Sequence, residues 1–264
     1  MIKNWDHHVV HAEEIARRPG FQGLRDRILE LAAPRRDETA VDVGSGTGLL
    51  ALPLAERIER VWAIDLSPLM THYLQTKAAS AGLHNVAPAT GTAESLPLVD
   101  ASVDLVVSNY CFHHLDADGK ERALAEAFRV LKPGGRIVFG DMMFSVALRE
   151  PRDRQLIRAK VFAIGRRGLP GMVRLGRNAM RLARRCWEQP APAAWWTAAL
   201  RRAGFENVYV ELLEHEGGVA IATRPALLRS ARAVDARVAW PRGHGYRARD
   251  VDGRPDGAGD QADR

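Results

Sequence analysis

The sequence predicts a doubly wound, Rossmann-like α/β fold, and two features carry that expectation. First, the apolar run Val41-Asp42-Val43 breaks into Gly44-Ser45-Gly46-Thr47-Gly48 and then opens a helical stretch over 49–57. Glycines at such a turn let the backbone reverse sharply and approach a ligand closely. Second, the next apolar run, 60–65, ends in an acid, Asp65, which lies 19 residues after Gly46 (65 − 46). In a doubly wound sheet these two strand ends are neighbours. An acid there can accept the two hydroxyls of a ribose held over the glycine loop. The pair predicts a nucleoside-containing ligand at the carboxyl edge of a parallel sheet.

Taken in order, residues 1–38 read as a helical cover, with helical apolar spacing over 12–16 and 24–33 and a break at Pro19-Gly20. Strands are expected near 40–44, 60–65, 85–89, 103–109 and 136–141, with helices between them. A helix running through Ala127-Phe128-Arg129-Val130 is stopped by Lys132-Pro133-Gly134-Gly135, which feeds the apolar strand at 137–140. The simple alternation is lost over 143–192, where Leu156, Val161, Ile164, Leu169, Met172 and Val173 interleave with arginines as two short amphipathic helices. A helix over 194–202 and a strand pair at 208–213 and 219–223 follow. Residues 226–240 suit a terminal helix. Residues 241–264, nearly devoid of apolar side chains, suit a disordered tail. The expected division is therefore a 1–38 cover, a 39–225 catalytic-type domain containing the 143–192 insertion, and the two C-terminal segments.

The glycine spacing narrows the ligand. Dinucleotide-binding loops use G-x-G-x-x-G, with a pyrophosphate on the helix N-terminus. Here the pattern is Gly44-x-Gly46-x-Gly48, without Lys or Arg and with Asp42 two residues ahead. An acid at that point repels a pyrophosphate and suits a cationic ligand. These residues resemble the first motif of the class I S-adenosylmethionine-dependent methyltransferases. Further segments follow in that family's order. Gly91-Thr92-Ala93-Glu94-Ser95-Leu96-Pro97 resembles its adenine-contacting segment, with Thr92 where an acid is frequent, and 102–109 resembles its fourth strand. The Leu131-Lys132-Pro133-Gly134-Gly135-Arg136 turn is similar to the one before its fifth strand. The resemblance implies a seven-stranded sheet completed by an antiparallel hairpin, an N-terminal segment covering the cofactor, and a substrate-binding insertion after strand five. It implies S-adenosyl-L-methionine as cofactor, held by Asp42, Gly44, Ser45, Gly46, Gly48, Asp65, Leu66, Ala93, Glu94 and Asn109.

Methyl transfer from a sulfonium is an in-line displacement, so holding donor and acceptor aligned is the main requirement. A base is needed only where the acceptor must lose a proton. Strand ends face the substrate in this fold, which singles out Tyr110, His113 and Asp141 as catalytic candidates. A neutral His is a natural proton acceptor near pH 7. Packing roles for His113, His114 and Tyr110, and a capping role for Asp141, stay open beside the catalytic ones. Cys111, His113 and His114 are too tightly spaced for a closed zinc site, so no metal is expected. Ser108-Asn109-Tyr110-Cys111 lacks the paired prolines of N-P-P-Y or D-P-P-Y, which disfavours adenine-N6 or cytosine-N4 methylation, and DNA is not an expected partner.

Composition sets outer limits. No uninterrupted apolar run is long enough for a transmembrane helix, the start is polar, and two cysteines cannot build a disulfide framework, so a cytoplasmic location is expected. The net charge is +6, but twelve Arg and Lys against two acids lie between Arg149 and Arg185, an excess of ten, which leaves the remainder net acidic by four. That segment suits a lid over an anionic or amphipathic small substrate, a contact with an anionic membrane admitting a lipid or quinone, a contact with RNA, or a solvated face without partner. The reading that leads is a methyltransferase for a small organic molecule. Methylation of a membrane lipid, quinone or RNA is an alternative, as is a non-catalytic cofactor-binding regulator. A nicotinamide dehydrogenase is disfavoured by the glycine spacing.

Overall fold

The computed structural model describes residues 9–145, 150–166, 168–170, 172–173, 176–177, 180, 189–214 and 216–226. Seven strands form one sheet: β1 (Thr39–Val43), β2 (Arg60–Asp65), β3 (Val86–Thr90), β4 (Val103–Asn109), β5 (Leu131–Met142), β6 (Glu206–Leu212) and β7 (Gly217–Thr223). Their order is β3-β2-β1-β4-β5-β7-β6. Strands β1 to β5 pair in parallel, whereas β7 is antiparallel to both β5 and β6. The doubly wound sheet with a terminal antiparallel hairpin is therefore present as expected.

The interiors of β1, β4 and β7 and the second half of β5 are buried on both faces, which is why they read as continuous apolar runs. Alternate residues serve opposite layers. Val41, Val43, Val106, Ile137 and Phe139 pack with Leu124, Trp196 and Leu200. Ala40, Leu105, Val107, Val138 and Ile221 pack with Leu24, Ile28, Leu54 and Leu74. The first layer is built by α5 (Ala117–Val130) and α7 (Ala193–Arg202). The second is built by α2 (Pro19–Ala32), α3 (Ala51–Ala55) and α4 (Pro68–Ser80). Ahead of them runs α1 (Val9–Ala16), and Pro19 opens α2 rather than merely ending α1. Proline lacks the N–H that a first-turn residue cannot use anyway.

Two elements differ in extent from the sequence reading. The helix after the glycine loop is shorter than 49–57, because Pro53 has no N–H to continue the ladder and Gly48 to Leu50 are spent in turns. Strand β5 begins at Leu131, five residues early. Leu131 pairs with Val103 and Arg136 with Leu105, so Lys132 to Gly135 bulge out of register within one strand. In the basic insertion, α6 (Pro151–Gly165) forms the first of the two expected helices, and much of the second lies outside the described residues. The expected terminal helix (226–240) and tail (241–264) lie outside the described residues, Ala226 alone excepted. Among the described residues, no helix is long and apolar enough to cross a membrane.

Gly44 has the tightest backbone requirement in the loop. Its φ is +73°, and a Cβ built there would sit 2.4 Å from Cys111 Sγ and 2.7 Å from Cys111 Cβ. Gly44→Ala combines a left-handed backbone penalty with overpacking against β4, together about 2–4 kcal/mol. Thermal unfolding should show a Tm lower by roughly 5–15 °C than that of the parent chain.

Candidate active site

Register places the predicted residues at one edge. Val43 pairs with Ile64 and with Ser108, so Gly44, Asp65 and Asn109 leave adjacent strands side by side. Asp65 pairs with Thr90, which brings the Gly91-Thr92-Ala93-Glu94 turn next to it. This edge is where the strand order reverses between β1 and β4, the point at which open α/β sheets bind ligands.

Four polar side-chain atoms at this edge are buried with no hydrogen-bond partner among the described residues: Asp42 Oδ2, Ser45 Oγ, and Asn109 Oδ1 and Nδ2. Such groups normally find partners, and leaving one unmet costs about 1–3 kcal/mol. Asp42 is 1% exposed. Burial, helped by the charge of Asp65 and opposed by a hydrogen bond from the Ala51 backbone, pushes its carboxyl up to about 8. Asp65 turns back onto the loop: Oδ2 accepts from Gly46 N at 2.8 Å and Oδ1 from Ser67 N at 2.9 Å. Gly46 faces open space, with nothing within 4 Å of a Cβ built on it, and Leu66 beside Asp65 is exposed. Gly48, at φ +92°, packs instead against Leu74 and Leu52.

The second turn is tied to its neighbours by packing and by an ion pair. Ala93 packs on the core, and Glu94 is held by Arg122, whose Nη2 and Nε donate to Oε1 at 2.5 and 3.0 Å.

The three catalytic candidates converge. His113 lies in a 3-10 turn (Phe112–His114) directly after β4, and Asp141 lies near the end of β5. His113 Nδ1 is 2.7 Å from Asp141 Oδ1, and the His113 backbone N donates to Asp141 Oδ2 at 3.0 Å. Both residues are buried. An ionised carboxylate only accepts, so this pairing puts the ring proton on Nδ1 and leaves the Nε2 lone pair available. Asp141 thus both caps the turn and orients the ring. Tyr110, at φ +53°, stacks its ring 4.6 Å from Phe21 of α2 and meets His113 edge-on at 5.9 Å. Burial, with the charges of Glu216 and Asp141, pushes its phenol well above the usual range. Trp196 is fully buried against Phe112 and Phe139, a core position rather than a pocket wall.

Sequence reasoning passed over Lys120. It is 2% exposed, and its Nζ donates to the Leu115 carbonyl that ends the His113 turn. Burial, opposed by Asp141 and Asp116, lowers it to about 8. The signal was present, since Lys120 shares a helical period with Ala123, Leu124 and Ala127, all buried. Also unforeseen was a brace on the glycine loop: Lys77 of α4 donates to Glu13 of α1 at 2.9 and 3.0 Å and to the Thr47 carbonyl at 3.3 Å.

The seven-stranded Rossmann-like sheet thus carries a glycine loop and a strand-end acid at its switch point. Residues 40–135 match the family model described as "Methyltransferase domain". It is 33% identical over 143 residues to an uncharacterized methyltransferase of Geobacillus kaustophilus, a match covering 54% of this chain and 61% of that one. The chain thus spans about three fifths of the length of the first curated relatives it matches. Among solved structures, a SAM-dependent methyltransferase from Aquifex aeolicus superposes with a TM-score of 0.57 at 19% identity, over 82% of this chain and 98% of its own. The [4+2]-cyclase SpnF superposes with a TM-score of 0.56 at 20% identity, over 78% and 81%. The fold is therefore shared with a protein named for a different reaction, and chemistry has to be argued from the site.

Proposed function

We propose that the chain is an S-adenosyl-L-methionine-dependent methyltransferase acting on a small organic acceptor. The observation that carries this reading is the set of buried, unpartnered polar atoms on Asp42, Ser45 and Asn109 around a glycine loop that contains no Lys or Arg. They fit a zwitterionic amino-acid tail, with donors and acceptors for both its ends, and they do not fit a pyrophosphate. Asp65 would accept from the ribose hydroxyls, Gly44 and Gly46 would let the ligand approach the backbone, and exposed Leu66 would cover an apolar ring face. Ala93 lines the same edge. When bound, the cofactor supplies an electrophilic methyl group on a sulfonium.

The chain's own contribution is positioning and proton removal. Asp141 holds His113 by ring and backbone at once, so His113 Nε2 serves as general base for an acceptor hydroxyl or amine. Tyr110, stacked on Phe21, borders the same site. A phenolic, hydroxyl or amine acceptor panel, assayed with methyl-labelled cofactor, tests the activity. Labelled product is expected from at least one class, whereas cofactor binding without transfer to any acceptor would favour the non-catalytic reading. Once an acceptor is found, Asp141→Asn should lower kcat by about 10²-fold or more while leaving cofactor affinity within about threefold. Asn can present the Nδ1 partner as a donor and so reverse the tautomer. An unchanged kcat would remove His113 and Asp141 from the proton-transfer role.

A further inference from the structure

We propose that the basic insertion after β5 is a docking surface for an anionic lipid bilayer. Six of the large apolar side chains that the described residues leave exposed lie within twenty positions: Val161, Phe162, Leu169, Met172, Val173 and Met180. Among the described residues, no other stretch of comparable length shows so many. Of the described side chains of α6, only that of Asp153 is buried. The exposed apolar surface is interleaved with cations. Arg158, Phe162 and Arg166 recur every fourth residue and share a helix face, and the Arg166 guanidinium lies 5.6 Å from the centre of the Phe162 ring. Arg158, Arg166 and Arg177 have no carboxylate partner among the described residues. The two acids of the segment are at its start, and Asp153 is taken up by Ser145 N at 2.8 Å.

Charge complementarity selects the occupant. Exposed contiguous apolar groups mark an interaction site, and rimming cations direct it to a negative partner. A second copy of the chain would bring two segments each carrying an excess of ten positive charges into contact, which repels. RNA would satisfy the arginines, but Leu169, Met172, Val173 and Met180 have no ring to stack on bases and would stay in water. A bilayer with anionic headgroups meets both requirements: apolar side chains enter the acyl boundary while arginines remain among phosphates. The inference goes beyond methyl transfer and stands or falls separately from it. Should both hold, the acceptor would reach the site from the membrane surface.

Co-sedimentation of the full chain with vesicles tests it. Vesicles containing about a third phosphatidylglycerol should carry down the protein at low salt, and pure phosphatidylcholine vesicles should carry at least about tenfold less. Raising salt to about half molar should release it. The double variant Phe162→Ser with Leu169→Ser, and separately Arg158→Gln with Arg166→Gln, should each weaken binding about tenfold while leaving S-adenosylhomocysteine affinity and thermal unfolding unchanged. Equal recovery on both vesicle types, no recovery on either, binding indifferent to both variants, or retention by single-stranded RNA without vesicle binding would each overturn the proposal.

Discussion

Asp42→Asn should give a chain that is harder to unfold and poorer at binding the cofactor. The Asp42 carboxyl is fully buried with one oxygen unpartnered, and burial raises it from 3.8 to about 8. For an acid raised in the folded state, the stability held by its neutral form is complete below about pH 4 and is lost as pH rises through about 8. Across that window the folded chain loses roughly 1.4 kcal/mol per pH unit from this group alone. Asparagine keeps the acceptor for the Ala51 N–H and carries no charge. Thermal unfolding should therefore show near parity of the two chains at or below about pH 4 and a widening advantage for Asn up to about pH 8. Affinity should move the other way. A ligand ammonium favours the carboxylate and displaces its proton, so the variant should bind S-adenosylhomocysteine about tenfold or more weakly. A variant that gains no stability with pH would place Asp42 in a wetter site than the structure gives it.

Asp65→Ala should weaken S-adenosylhomocysteine by about 10- to 100-fold, the scale of hydrogen bonds to a charged acceptor, at about 1.5–3 kcal/mol in total. Two effects combine. The ribose loses its acceptor, and the Gly46 and Ser67 amides lose theirs, so the glycine loop becomes less ordered before the ligand arrives. Homocysteine, which has no ribose, separates the two: its weak competition for the site should change far less than that of the full nucleoside. Equal losses for both ligands would assign Asp65 to loop order alone.

The sheet was legible because buried parallel strands announce themselves as apolar runs and because turn chemistry marks their ends. Asp65 closing β2 is such a mark, whereas Pro133-Gly134 marks a bulge inside β5. The terminal hairpin and the helix over 194–202 were likewise visible from periodicity, within two residues. Register was not visible, and register is what sets Asp65 beside Gly44 and Asn109. Side-chain pairing across the fold was less visible still. Nothing local to Glu94 says that Arg122, 28 residues on, will hold it. The His113–Asp141 pair spans the same separation, and each residue was picked out from its strand end without its partner. Lys120 was missed because a lysine is read as surface by default, although its helical phase with Ala123 and Ala127 places it inward.

The central claim is that an S-adenosyl ligand with a charged amino-acid tail occupies the edge between β1 and β4, beside Asp42. Its most direct test is a calorimetric titration of S-adenosylhomocysteine at pH 7 in two buffers of different ionisation enthalpy, with the parent chain and Asp42→Asn. Micromolar binding with net proton release, the release lost in the variant, is the predicted result. No binding by the parent chain, or binding of a nicotinamide dinucleotide in its place, would contradict it.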